Sequence, residues 1–240
     1  MKTAMPEPVR PGVKTAEAEG TDSGQSLVRL VVDGIIEDVR CGRLVPGQRL
    51  IATDLAHEFN VSRAPVREAL HVLEGEGVVT ITPNRGARIN RLSVSQLIDF
   101  MEMTETLLVL GVRRTATINH SKAQARELQE AFAEIERQGQ QGSAVDFVES
   151  LYAYHHVVNR MSGNSFVTDM YQRRSFTFFN RLVSDLLPRH TWTTFIENYR
   201  RINQTVLAND SHAAVATFVA HIQWVLAVMR ENESQLARDT

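Results

Sequence analysis

Arg63 and Arg67 stand four residues apart, directly behind Ser62. If they lie on a helix, that spacing puts both guanidiniums on one face. Each can fork onto guanine O6 and N7 or clamp a phosphate, because the planar guanidinium offers paired donors in a fixed geometry. Ser62 can cap the helix N-terminus and donate to a phosphate oxygen. Ala64, outward between the arginines, suits contact with a base edge, and Pro65 falls in the first turn, where a missing N–H costs nothing. Arg85 and Arg88 flank Gly86 a little further on. This is the chemistry of reading a polyanion with a defined edge pattern.

The surrounding residues supply elements to position it. Thr53 to Phe59 reads as a short helix with Leu55, Ala56 and Phe59 on its apolar face, and Asn60-Val61-Ser62 as a polar corner. Arg63 to Gly75 reads as a second helix burying Val66, Ala69, Leu70 and Leu73. Two β-branched runs follow, 78–82 and 87–90, joined around Pro83-Asn84-Arg85-Gly86. Helix, corner, helix and hairpin form a winged helix-turn-helix, which lays its second helix in the DNA major groove. Ahead of it, Leu27, Leu30, Val31, Ile35 and Val39 predict a helix from Gly24 to about Gly42, and residues 1–23 read as a disordered tail.

Composition sets the outer limits. With 240 residues, 43% hydrophobic and 22% charged, the chain suits one large or two modest globular domains. A net charge of −2 argues against non-specific polyanion binding by the whole chain, so a basic surface must be local. Cys41 is the single cysteine, which excludes an internal disulfide and suits a small apolar role. No secretory leader pattern and no apolar run of about 20 residues is evident, so a cytoplasmic location without membrane contact is expected.

Beyond Leu92 strand signals stop. Ser93 with Gln96 opens a long helix to about Ile118, and Ser121 caps another to about Gln138, broken at Gly139–Gly142. Further helices are expected over about 145–161, 165–186, 193–207 and 210–232. The expected fold is mainly α: a winged helix-turn-helix over 24–92, then an antiparallel six-helix bundle over 93–236.

The string LAHEFNVSRAPVREALHVLEGEGVV, with CGRLVPGQRL before it and PNRGARI after it, resembles the GntR family of bacterial transcriptional regulators. The helical remainder is similar to the FCD effector domain of the FadR-type subfamily, through Tyr154-His155, Ser162-Gly163-Asn164, Asp210, Ala213-Ala214 and His221. The resemblance implies a homodimer on a short two-fold-symmetric operator, usually a repressor released by a small carboxylated metabolite. Arg63 and Arg67 match the family's DNA-contacting arginines, and Gly86 matches the wing tip. Thr53 stands where some relatives carry an arginine, so one DNA contact is expected to be missing.

Many domains of this type hold a divalent metal with one aspartate and three histidines. Matched to that pattern, only His155 and His221 remain; Leu151 and Tyr199 occupy the other two places. The resemblance thus implies an incomplete metal site, with Glu149, His156 or Asp146 as substitutes in principle. His155 and His221 could equally be hydrogen-bonded core residues. Tyr199, Asn203 and Arg173 or Arg174 could instead line a metal-free pocket whose arginine pairs with an acid. The aromatic stripe of Phe166, Phe176, Phe179, Trp192 and Phe195 reads as core or dimer contact. Two other classes stay in view. One is a ligand-blind dimeric DNA-binding protein. The other is a helical metallohydrolase, against which stands the lack of a nucleophile–base set, a phosphate loop or an HExxH motif.

Overall fold

The computed structural model describes residues 21–83 and 85–236. The expected tail therefore lies outside the described residues except for its last three, which already belong to the first helix. That helix, α1 (Thr21–Arg40), precedes a two-residue strand, β1 (Arg49–Leu50), then α2 (Ala52–Glu58) and α3 (Arg63–Gly75). The hairpin β2 (Val79–Thr82) and β3 (Gly86–Ile89) completes the N-terminal part. β3 lies between β1 and β2, both antiparallel to it, with Arg49 opposite Arg88 and Thr82 opposite Gly86. The apolar faces foreseen for the helices bury Val31, Ile35, Val66, Ala69 and Leu73 in one core with Val79, Ala87 and Ile89 of the sheet. Asn60 adopts a left-handed conformation (φ 52°) at the corner between α2 and α3, which an asparagine tolerates better than most residues.

The remainder is helical: α4 (Val94–Thr115), α5 (Lys122–Gln141), α6 (Ala144–Met161), α7 (Ser165–Tyr171), α8 (Arg174–Ser184), α9 (Trp192–Leu207) and α10 (Ser211–Leu236). Ser93, Ser121 and Ser143 each form a capping box with the residue three positions on. These reciprocal bonds explain why α4, α5 and α6 begin where they do. α5 runs through Gly139 instead of breaking there. A Cβ at that position would lie 2.5 Å from Ile196 Cδ1, so the glycine lets α9 approach α5.

A single helix expected over 165–186 is two helices, separated at Gln172-Arg173. No glycine or proline marks the break. Tertiary contacts make it: the Tyr152 hydroxyl donates to the Tyr171 carbonyl (2.6 Å), and Glu76 accepts from the Ser175 N–H (3.0 Å). Both groups are thereby satisfied outside a continuous helical ladder.

α10 carries an apolar stretch, Ser211–Glu233, of mean hydropathy 1.5, long enough by length and composition to cross a membrane. This corrects the expectation that no such run exists. The same helix packs against α4 and α9 and buries Ala214, Phe218, Ile222, Val225, Leu226 and Met229, the role of a central core helix.

Candidate nucleic-acid interface and ligand cavity

At the start of α3, Ser62, Arg63, Ala64 and Arg67 are exposed, and among the described residues no ion pair holds either arginine. α3 is set by its buried stripe, which docks on α1 and leaves this first turn outward. Two details differ from expectation. Ser62 occupies the N-cap position, yet its side chain makes no capping bond. Pro65 is buried with Val66, so it shapes the turn and cannot itself touch a ligand on the exposed face.

In the wing, Arg85 and Arg88 are exposed, and Gly86 has φ 81°, a backbone that side-chain-bearing residues rarely adopt. A Cβ on Gly86 would also sit 3.2 Å from the Leu50 carbonyl. Arg88 Nη1 donates to the Gly47 carbonyl (3.1 Å), which anchors its position. Thr53 is exposed on α2, and its hydroxyl donates to Asp54 (3.2 Å). One residue escaped the sequence reading. Arg49 is exposed directly across from Arg88, which widens the cationic face of the sheet. A two-residue strand has no periodicity, so no local signal marks it.

Inside the bundle, α4, α6, α7, α8, α9 and α10 line a cavity of about 60 Å³. His155, Tyr199, His221 and Leu151 all line it, so positions far apart in sequence do converge. His155 Nε2 lies 2.7 Å from the Tyr199 hydroxyl, and His221 Nδ1 lies 3.2 Å from Asn198 Nδ2. Burial pushes both imidazoles down to about 3, with His155 also opposing charge on His221, so both are neutral near pH 7. His155 Nδ1 and Thr104 Oγ1 are buried without a hydrogen-bond partner.

Two expected pocket residues lie elsewhere. Asn203 is buried behind the cavity wall, where its Oδ1 accepts from the Tyr154 hydroxyl (3.2 Å). Arg173 is exposed at the N-cap of α8 and does not line the cavity. Its neighbour Arg174 points to the N-terminal part, pairing with Asp33 on α1 (2.9 Å) and Glu76 (3.8 Å).

The residues present do not fit the divalent metal that the resemblance brings to mind. No carboxylate lines the cavity, and the described residues contain no cluster of three or more His, Cys, Asp or Glu. Leu151 offers no donor atom, and the Tyr199 hydroxyl is already bonded to His155. The possible substitutes are occupied. Glu149 accepts from Arg40 (3.0 Å), Asp146 closes the Ser143 capping box, and His156 lies beside Gln172 (3.4 Å).

A second hollow, of about 260 Å³, adjoins the cavity at the junction with α1. Val148, Tyr152 and Asn180 line both spaces, and Arg40, Glu149 and Arg181 line the outer one. Arg40 pairs with Glu37 and Glu149, and Arg181 pairs with Asp185 (2.5 Å). Burial raises the Tyr152 phenol to about 12, so it stays a neutral donor. Cys41, at the end of α1, is exposed, with its thiol raised chiefly by a hydrogen bond to Glu37.

Comparison with known proteins agrees with this two-part construction. LutR, an HTH-type transcriptional regulator of Bacillus subtilis, is 27% identical over 210 residues, covering 77% of this chain and 92% of LutR. The structure of McbR/YncC from E. coli superposes with a TM-score of 0.70 at 20% identity, covering 85% of this chain and 97% of that one. A GntR-type transcriptional regulator from Rhodococcus sp. RHA1 gives the same TM-score at 18% identity, covering 88% and 99% of the two chains. Residues 27–89 match the bacterial regulatory proteins of the gntR family, and residues 99–223 match the FCD domain, which by itself spans just over half of the chain. The exposed first turn of α3, the wing and the helical cavity are thus parts of one architecture, and the chain belongs to the GntR family of DNA-binding transcriptional regulators with an FCD domain.

Proposed function

We propose that the protein acts as a homodimer which represses transcription from a two-fold-symmetric operator and leaves it when a small molecule fills the bundle cavity. The observation that carries the DNA half is the exposed Arg63–Arg67 face on the first turn of α3, which no ion pair among the described residues holds. In this reading Arg63 and Arg67 reach base edges or phosphates. Ser62 donates to the backbone, Ala64 permits close approach, and Arg49, Arg85, Gly86 and Arg88 form the wing contact. Thr53 supplies at most a neutral phosphate contact where some relatives use a cation. The domains divide near residue 92, and the expected site is cytoplasmic.

Two observations support control from the bundle. Two of the helices that line the cavity, α6 and α8, also hold α1, through Glu149–Arg40 and Arg174–Asp33. A ligand that shifts either helix would change the seat of the DNA-reading part, provided it binds the two arrangements with different affinity. Dimerisation is supported by exposed apolar side chains. Phe166 and Met170 lie one turn apart on α7, and Met103 and Leu110 lie on α4, which packs against α7. The relatives bear regulator names, which favours binding over catalysis as the use of the cavity.

Footprinting on the DNA upstream of the protein's own gene tests this reading, with and without a cell-extract metabolite fraction. Protection of a two-fold-symmetric segment that is lost with the fraction is expected. Protection that no fraction alters would favour a ligand-blind dimer.

A further inference from the structure

We propose that the bundle cavity takes an uncharged ligand with one hydrogen-bonding end and a compact apolar body, instead of a metal-held carboxylate. This rests on the ligand-responsive reading above and names the ligand class. No side chain lining the cavity is an aspartate, glutamate, lysine or arginine. An ionised ligand would therefore leave water with no counter-charge to meet it, the costliest kind of burial. The wall is mostly aliphatic and aromatic, including Leu108, Leu151, Phe195 and Ile222.

Polar demand does exist, and it is neutral. Thr104 Oγ1 and His155 Nδ1 belong to side chains that line the cavity, are buried, and lack any partner. Buried polar atoms are almost always satisfied, so two orphans on side chains that line one cavity, from α4 and α6, call for a ligand or water that bonds them. A hydroxyl both donates and accepts, and a neutral ring nitrogen does one or the other. An amide, alcohol or azole meets that set without bringing charge. The outer hollow does not select anions either. Its two arginines already face Glu37, Glu149 and Asp185, so an incoming carboxylate would have to displace an internal one. With about 60 Å³ in the cavity, the bound group is small or the ligand extends into the outer hollow past Tyr152 and Asn180.

The test uses the full chain and three probes with one branched body: isobutyramide, isobutyrate and isobutylammonium, titrated at pH 7.5 with NMR detection at the cavity residues. The amide is expected to saturate shifts at Thr104, Leu151 and His155, at least about tenfold tighter than either ion. Thr104→Val, which keeps the shape and removes the hydroxyl, should weaken amide binding by about tenfold, the scale of one lost buried hydrogen bond. His155→Leu should do the same if it folds, and Thr104→Val carries the test if it does not. Equal or tighter binding by either ion, or no cavity shift with any probe, overturns the proposal. One equivalent of Zn²⁺ or Ni²⁺ bound at His155 and His221 overturns it too. Operator affinity measured alongside keeps the two readings apart. An amide that fills the cavity without moving operator affinity sinks the ligand-responsive reading alone. Isobutyrate that releases the operator sinks the neutral-ligand proposal alone.

Discussion

Arg67 illustrates how exposure and lack of a partner turn a common residue into a contact. A surface arginine in an ion pair would have to give it up before gripping DNA; among the described residues Arg67 has none to give up. Arg67→Ala should weaken operator binding by about 1–3 kcal/mol at fixed salt in a gel-shift titration. Unchanged affinity with intact helicity would remove α3 from the groove. The buried imidazoles make a different residue-scale prediction. Both titrate in the folded state near 3 and in the unfolded chain near 6.5. Between those values the unfolded chain binds more protons, so stability is complete above about pH 6.5 and is lost as the pH falls. The slope approaches about 1.4 kcal/mol per pH unit for each imidazole. Urea denaturation at pH 6.5 and 5.5 should show the loss, and the His155→Gln, His221→Gln variant should flatten it. An equally steep slope in that variant would place the effect on other groups.

At the level of elements, the helix that divides at Gln172-Arg173 joins the two parts of the molecule. Glu76 is the residue that closes the C-terminus of α3. In the fold it accepts from the Ser175 N–H and faces Arg174, so it caps α8 from the N-terminal part. Its carboxylate is mostly covered, with a side-chain exposure of 19%. Glu76→Ala should therefore cost about 1–2 kcal/mol, the scale of charge-assisted bonds partly screened by water. A chemical-denaturation midpoint within error of the parent would show that α8 starts where it does without this cap.

For the whole molecule, the central question is what covers the apolar residues left outside. Phe166 is 85% exposed, an unusual position for a phenylalanine in an otherwise well-filled bundle. If the α4–α7 side is the dimer contact, Phe166→Asp should move the protein from dimer toward monomer in sedimentation velocity. Operator affinity should drop by at least tenfold, because two half-sites are no longer read together. A dimer that persists in the variant would place the interface on another face.

The N-terminal part was legible almost residue by residue. Apolar spacing in 24–42 and 63–75, the Asn60 corner and the Gly86 turn are local signals, and the winged helix-turn-helix is built from local rules. The capping serines at 93 and 121 are equally local, which is why the starts of α4 and α5 could be read from them; the Ser143 box that opens α6 follows the same rule. Other features depended on distant partners. Pro65 turned inward, β1 paired Arg49 with Arg88, and Glu76 and Tyr152 together divided a helix that had no breaker of its own. The cavity belongs to the same group. Sequence spacing could nominate His155, Tyr199 and His221. Only the packing of six helices could show that they share a space without charge, with Asn203 behind its wall and Arg173 outside it. Local pattern determines which face of each element is apolar, but the electrostatics of a cavity depend on every side chain that reaches it, and those come from the whole chain.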